Sequence, residues 1–88
     1  MTAGESDQVK RLRMRSWRRG TKEMDMILGP FSDEMLGDLT GQELDQYEQL
    51  LHENDQDLYQ WVSGQVSPPQ THAELIDRIA NFAQLPRH

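Results

Sequence analysis

Residues 40–64 read TGQELDQYEQLLHENDQDLYQWVSG, and this stretch decides the fold. Thr40 and Glu43 form a capping-box pattern, in which the threonine oxygen takes a backbone N–H three residues on and the glutamate carboxylate reaches back to the threonine N–H. Behind that start, Leu44, Tyr47, Leu50 and Leu51 fall on one helical face. Asn54 closes this helix and caps another, whose early Asp55 and Asp57 suit the positive end of a helix. Leu58, Trp61 and Val62 mark the buried stripe of that second helix, and Gly64 offers its exit. Helices joined by so short a turn are expected to pack as antiparallel neighbours.

The same grammar extends in both directions. Toward the C-terminus, Ser67-Pro68-Pro69 makes a turn, and Thr71 with Glu74 repeats the capping-box spacing ahead of a last helix with Ile76, Ile79, Ala80 and Ala83 on one face. Toward the N-terminus, Met24, Ile27, Leu28, Phe31 and Met35 recur at helical spacing, but Gly29 and Pro30 interrupt them, so a kink or break is expected there. Ser6 caps a first helix expected to run through Val9, Leu12 and Trp17 to Gly20. No stretch alternates apolar and polar residues over the length of a strand. The expected architecture is all-α: a compact bundle of about five short helices, mostly antiparallel neighbours, in a single domain over residues 6–83, with a flexible amino terminus at 1–5 and a flexible tail at 84–88.

Composition narrows the function. With 88 residues, one modest core is all the chain can bury. The absence of cysteine removes disulfides, thiolate nucleophiles and cysteine-based metal sites. No apolar run reaches the roughly 20 residues that span a bilayer, and the MTAGESDQ start has neither a basic lead nor an apolar stretch. No direct membrane insertion is therefore expected. Charge is segregated: Lys10, Arg11, Arg13, Arg15, Arg18, Arg19 and Lys22 cluster at one end, whereas residues 24–64 hold ten acidic side chains and no Lys or Arg. Such polarity suits docking onto a protein or a bound phosphate, although the bland reading is a solvated helix face.

Catalytic patterns are missing. His52, His72 and His88 lack a partner at i, i+4 that would set two imidazoles on one helical face, and neither a nucleophile elbow nor a phosphate-binding glycine loop occurs. The run Glu53-Asn54-Asp55-Gln56-Asp57 lacks the glycine and the later glutamate of a calcium loop, so helix capping explains it better. No catalytic residue, metal ligand or cofactor-binding residue is expected. A tryptophan among arginines suggests nucleic acid, but aromatic interleaving is sparse and the acidic remainder repels phosphate, so no nucleic-acid partner is expected.

The remaining unusual segment is Arg18-Arg19-Gly20-Thr21-Lys22-Glu23-Met24-Asp25. Gly20 stands where two helical patterns meet and lets another surface approach closely. Arg19 carries a planar donor fork, and Glu23 can pair with it or accept from a partner. Arg15, Trp17, Arg18 and Asp25 flank these three and complete the expected partner-binding set. The residues alone leave two readings open, a contact point and a helix junction with one local ion pair.

Here the chain resembles the succinate dehydrogenase flavinylation factors, the SdhE-like assembly factors, whose hallmark is R-G-x-x-E. Arg19, Gly20 and Glu23 match position by position. Glu23-Met24-Asp25 through Pro30-Phe31 resembles the family's second helix, and Leu50-Leu51 through Trp61 its acidic turn and aromatic fourth helix. The resemblance covers about Arg11 to Phe82 and implies a five-helix binding protein, not an enzyme. Such a protein binds the flavoprotein subunit of succinate dehydrogenase, with fumarate reductase as a further candidate, and promotes covalent attachment of FAD to a histidine of that partner. It implies no cofactor of the chain's own, the FAD being the partner's. A monomer in a bacterial cytoplasm is expected, since the residues before the matched region are too few for a mitochondrial targeting extension. The alternative is a small regulatory adaptor that binds nucleic acid or another protein through its basic first helix.

Overall fold

The computed structural model describes residues 6–84, so the expected loose segments lie outside the described residues except for Gln84. Five α-helices follow one another: α1 (Asp7–Ser16), α2 (Lys22–Met35), α3 (Gly41–Leu51), α4 (Asp55–Val62) and α5 (Gln70–Ala83), with a 3-10 turn at Leu36–Asp38 extending α2. Among the described residues there is no strand.

Local chemistry sets most helix starts. The side chains of Ser6, Thr21, Thr40 and Asn54 each accept a backbone N–H at the start of α1, α2, α3 and α4. The capping box at Thr40 is complete: Glu43 N donates to Thr40 Oγ1 at 3.1 Å and Thr40 N to Glu43 Oε1 at 3.0 Å. Gly64, at φ 83°, closes α4, with Gly64 N donating to Trp61 O and Gln65 N to Gln60 O, the paired bonds of a glycine-terminated helix.

Three expectations are corrected. Thr71 does not cap α5: the helix already begins at Gln70 with Pro69 as N-cap and no side-chain cap bond. The His72 N–H already closes the first turn on the Pro69 carbonyl at 2.9 Å, which places Thr71 inside the helix. Pro30 does not break α2, which continues to Met35. The carbonyl that loses its donor is that of Met26, a residue 61% exposed, so water can take the bond. The first helix stops at Ser16 rather than Gly20, because the residues after it turn toward two other elements.

One apolar core joins all five helices, drawing on Val9 and Leu12, Met24, Ile27, Leu28 and Phe31, Leu44 to Leu51, Leu58 to Val62, and Leu75 to Ala80. Phe31 lies at its centre, stacked on Tyr47 at 5.8 Å and met edge-on by Phe82 at 5.7 Å. One polar bridge crosses the core. Ser16 Oγ donates to Leu12 O at 2.7 Å and lies 2.7 Å from the Tyr47 hydroxyl, so Tyr47 supplies the proton of the second bond. Burial pushes the Tyr47 phenol well above its usual range, which keeps it protonated in the folded chain.

Candidate functional site

Arg13, Arg15, Trp17 and Arg19 are each drawn to a carboxylate elsewhere in the chain. Arg13 pairs with Asp33 at 3.4 Å and Arg15 with Glu48 at 3.9 Å. Trp17, the C-cap of α1, lays its indole on Gly29: a Cβ there would stand 2.4 Å from the nearest ring carbon. The indole N–H reaches both oxygens of Asp33 at 3.2 Å. Gly29 is thus the seat of the tryptophan and not a weak point of α2. Lys10, Arg11, Arg18 and Lys22 remain exposed and make no ion pair among the described residues.

Arg19 turns inward. Its Nε meets Asp55 Oδ1 at 2.8 Å, Nη1 donates to Leu51 O at 2.7 Å, and Nη2 donates to Glu53 O at 2.8 Å. Leu51 ends α3, so the guanidinium supplies donors to carbonyls that the helix end leaves free and neutralises Asp55 in the first turn of α4. The Arg19 and Asp55 side chains are each only 11% exposed. Arg19 N also donates to Asp25 Oδ1 at 2.5 Å, and Thr21 N donates to Asp55 Oδ2 at 3.0 Å. Two carboxylates therefore fix the turn between α1 and α2, one from α2 itself and one from α4.

Gly20 sits on the crest of that turn, exposed. Its φ lies outside the left-handed region, and a Cβ would meet only Asp55 Oδ2, at 3.4 Å, an ordinary contact. Nothing inside the chain requires glycine there. Glu23, in the first turn of α2, is exposed and makes no hydrogen bond or ion pair among the described residues, since Arg19 has taken Asp55 instead. Beside it a groove of about 360 Å³ opens between α2 and α4, lined by Thr21, Glu23, Asp55, Gln56 and Tyr59.

Of the seven residues marked by sequence, Arg19 and Asp25 thus meet in the turn, Gly20 and Glu23 face outward beside it, Arg18 is exposed nearby, and Arg15 and Trp17 are held to Glu48 and Gly29. Sequence reading missed Asp55, Gln56 and Tyr59 as neighbours of the motif, and Thr21 as the cap of α2. Thr21 had a signal, a threonine two residues before Glu23 and four before Asp25. For the α4 residues no local signal exists, because the contact spans 36 positions.

A second, polar groove of about 500 Å³ lies between α3 and the start of α5, lined by Gln46, Gln49, His52, Glu53, Thr71 and His72. His72 is buried against Trp61, with Nε2 3.1 Å from Glu53 Oε2. Among the described residues no group of three His, Asp or Glu side chains could hold a metal ion, and no helix is long and apolar enough to cross a membrane.

The sequence model of a family described as flavinator of succinate dehydrogenase matches residues 10–83. The chain is 40% identical over 75 residues to the FAD assembly factor SdhE of Photobacterium profundum, covering 84% of each chain. It is also 40% identical over 62 residues to the mitochondrial succinate dehydrogenase assembly factor 2 of Scheffersomyces stipitis, covering 68% of this chain and 42% of that one. A third relative, the mitochondrial assembly factor 2 of Candida glabrata, is 36% identical over 87 residues, 91% of this chain and 57% of its own. The chain therefore spans less than two thirds of the length of these yeast relatives and most of the bacterial one.

Proposed function

The chain belongs to the family of flavinators of succinate dehydrogenase, and we propose that it is an assembly factor that binds the flavoprotein subunit of that enzyme and promotes covalent attachment of FAD to it. The observation that carries this reading is the match to a bacterial FAD assembly factor along 84% of both chains. The factor carries no flavin of its own and performs no bond-making step. It holds the flavoprotein in a conformation that sets its histidine against the flavin, and alignment of reactants removes much of a barrier without any catalytic group from the factor.

Gly20 and Glu23 are the contact, with Arg18 beside them. Glycine at the crest of the turn has no reason within the chain, and close approach of another backbone supplies one. Arg19 and Asp25 act by holding that crest in place, and Trp17 and Arg15 by fixing α1 beneath it. The four open cations, Lys10, Arg11, Arg18 and Lys22, would speed encounter with an acidic partner surface. The rival reading, a nucleic-acid adaptor built on α1, is weakened because Arg13, Arg15 and Arg19 are already paired with carboxylates.

The test is covalent flavin per flavoprotein subunit, read by in-gel fluorescence in cells lacking their native factor. Wild-type chain should restore it, and Gly20→Arg at equal protein level should not. Failure of the wild-type chain to restore flavinylation, with tight, salt-sensitive DNA or RNA binding in its place, would favour the adaptor.

A further inference from the structure

The groove between α2 and α4 has a composition that selects its occupant. Asp55, only 11% exposed in its side chain, has both oxygens engaged: Arg19 meets Oδ1 at 2.8 Å and the Thr21 N–H meets Oδ2 at 3.0 Å. Glu23, at its rim, keeps both oxygens open among the described residues. The helices that face the groove bring no cation to Glu23, because residues 23–77 contain no Lys or Arg and Arg19 is closed onto α3 and α4, while the nearby Arg18 and Lys22 are exposed and make no ion pair with it among the described residues. Tyr59 lines the groove and is 39% exposed, and Met26, one turn beyond Glu23 on α2, is 61% exposed. An open carboxylate and a part-exposed aromatic ring therefore share the groove, and an exposed thioether stands next along α2, outside its lining.

Three kinds of occupant can be weighed. An anion would face the open carboxylate of Glu23 in a groove whose lining holds two carboxylates and no Lys or Arg. A purely apolar side chain would strip water from Glu23 and give nothing back, and that desolvation is costly. A cation on an apolar stem satisfies both parts, its head pairing with the carboxylate while its stem and charge lie against the Tyr59 ring.

We propose that this groove receives a basic side chain, arginine or lysine, projecting from the flavoprotein subunit, paired with Glu23 and packed on Tyr59. This inference rests on the assembly-factor reading above and adds the chemistry of the partner's contribution. It also gives the turn a purpose: the Arg19–Asp55 pair neutralises the Asp55 side of the groove and fixes its shape, so that one open negative charge remains at the rim.

The experiment uses the purified flavoprotein subunit as probe and measures its affinity for wild type, Glu23→Gln, Glu23→Lys and Tyr59→Leu at low and high salt. Glu23→Gln should bind about tenfold more weakly and with a shallower salt dependence, Glu23→Lys about a hundredfold more weakly, and Tyr59→Leu about threefold. The thermal midpoint of Glu23→Gln should stay close to wild type, because Glu23 makes no internal hydrogen bond, whereas Glu23→Lys also sets a cation at the positive end of α2 and should melt slightly lower. Carbodiimide coupling of Glu23 to a partner amine identifies a lysine, and its absence alongside the affinity losses identifies an arginine. Wild-type binding that Glu23→Gln leaves unchanged, or tightens, overturns the inference and leaves the assembly function standing. A wild-type chain that does not bind the subunit at all overturns both.

Discussion

The two halves of R-G-x-x-E face opposite ways. Arg19, only 11% exposed in its side chain, has its guanidinium closed onto Asp55, Leu51 and Glu53. Gly20 and Glu23, one and four residues later, are exposed and hold nothing inside the chain. The motif thus divides into an architectural half and an outward half that holds nothing inside the chain. Removing a group of the first kind strands buried partners and costs stability, whereas removing one of the second kind is silent until a partner arrives.

The largest expected effect breaks the inward half. Arg19→Ala leaves Asp55 buried without its counter-charge and two carbonyls without donors, and should lower unfolding free energy by about 3 kcal/mol in urea titration. An unchanged midpoint would mean that the guanidinium is not held inside. Arg19→Lys should recover only part of the loss, since one ammonium cannot reproduce the three-way fork.

Next comes the core bridge, a second inward group. The Tyr47 phenol is raised above its unfolded value of 10.0 by burial. The neutral form is thus favoured by folding, so full stability holds below pH 10 and declines as the unfolded phenol ionises above it. At one unit beyond that value the loss should be roughly 1.4 kcal/mol, and Tyr47→Phe should lack this component of the alkaline decline. Equal alkaline slopes for the two proteins would refute the assignment.

A smaller effect separates two sequence patterns that look alike. Thr40→Ala removes a bonded cap and should cost about 1 kcal/mol, whereas Thr71→Ala removes none and should stay within about 0.5 kcal/mol. Equal losses at both sites would mean that α5 is capped by Thr71 after all. The smallest expected change in stability belongs to the outward half: Gly20→Ala and Glu23→Gln should each stay within about 0.5 kcal/mol of wild type while reducing restored flavinylation. If either variant lost several kcal/mol, the division of the motif would collapse.

These contrasts show how much was legible beforehand. Thr40-x-x-Glu43 and Thr71-x-x-Glu74 carry the same letters at the same spacing, yet only the first is a box. What distinguished them was Pro69, two residues upstream of Thr71, whose carbonyl accepts the first turn's bond from His72 before Thr71 can cap. Pro30 and Gly29 were read as an interruption from propensity, but α2 runs through both. Gly29 is required by the indole of Trp17, and the Pro30 defect falls where Met26 is open to water. At Gly20 the backbone needs no glycine, since its φ lies outside the left-handed region.

By itself the sequence determined the all-helical class, the starts of α1, α3 and α4, the glycine exit of α4 and most of the buried stripes, because each depends on residues three or four positions apart whose chemistry is settled locally. The motif letters were legible as well. Only the tertiary structure decided what each letter does. Arg19 finds its carboxylate 36 positions away and Ser16 its phenol 31 positions away. A long side chain on a turn has many directions open to it, and the choice among them is made by whichever distant partner the packed core brings within hydrogen-bonding reach.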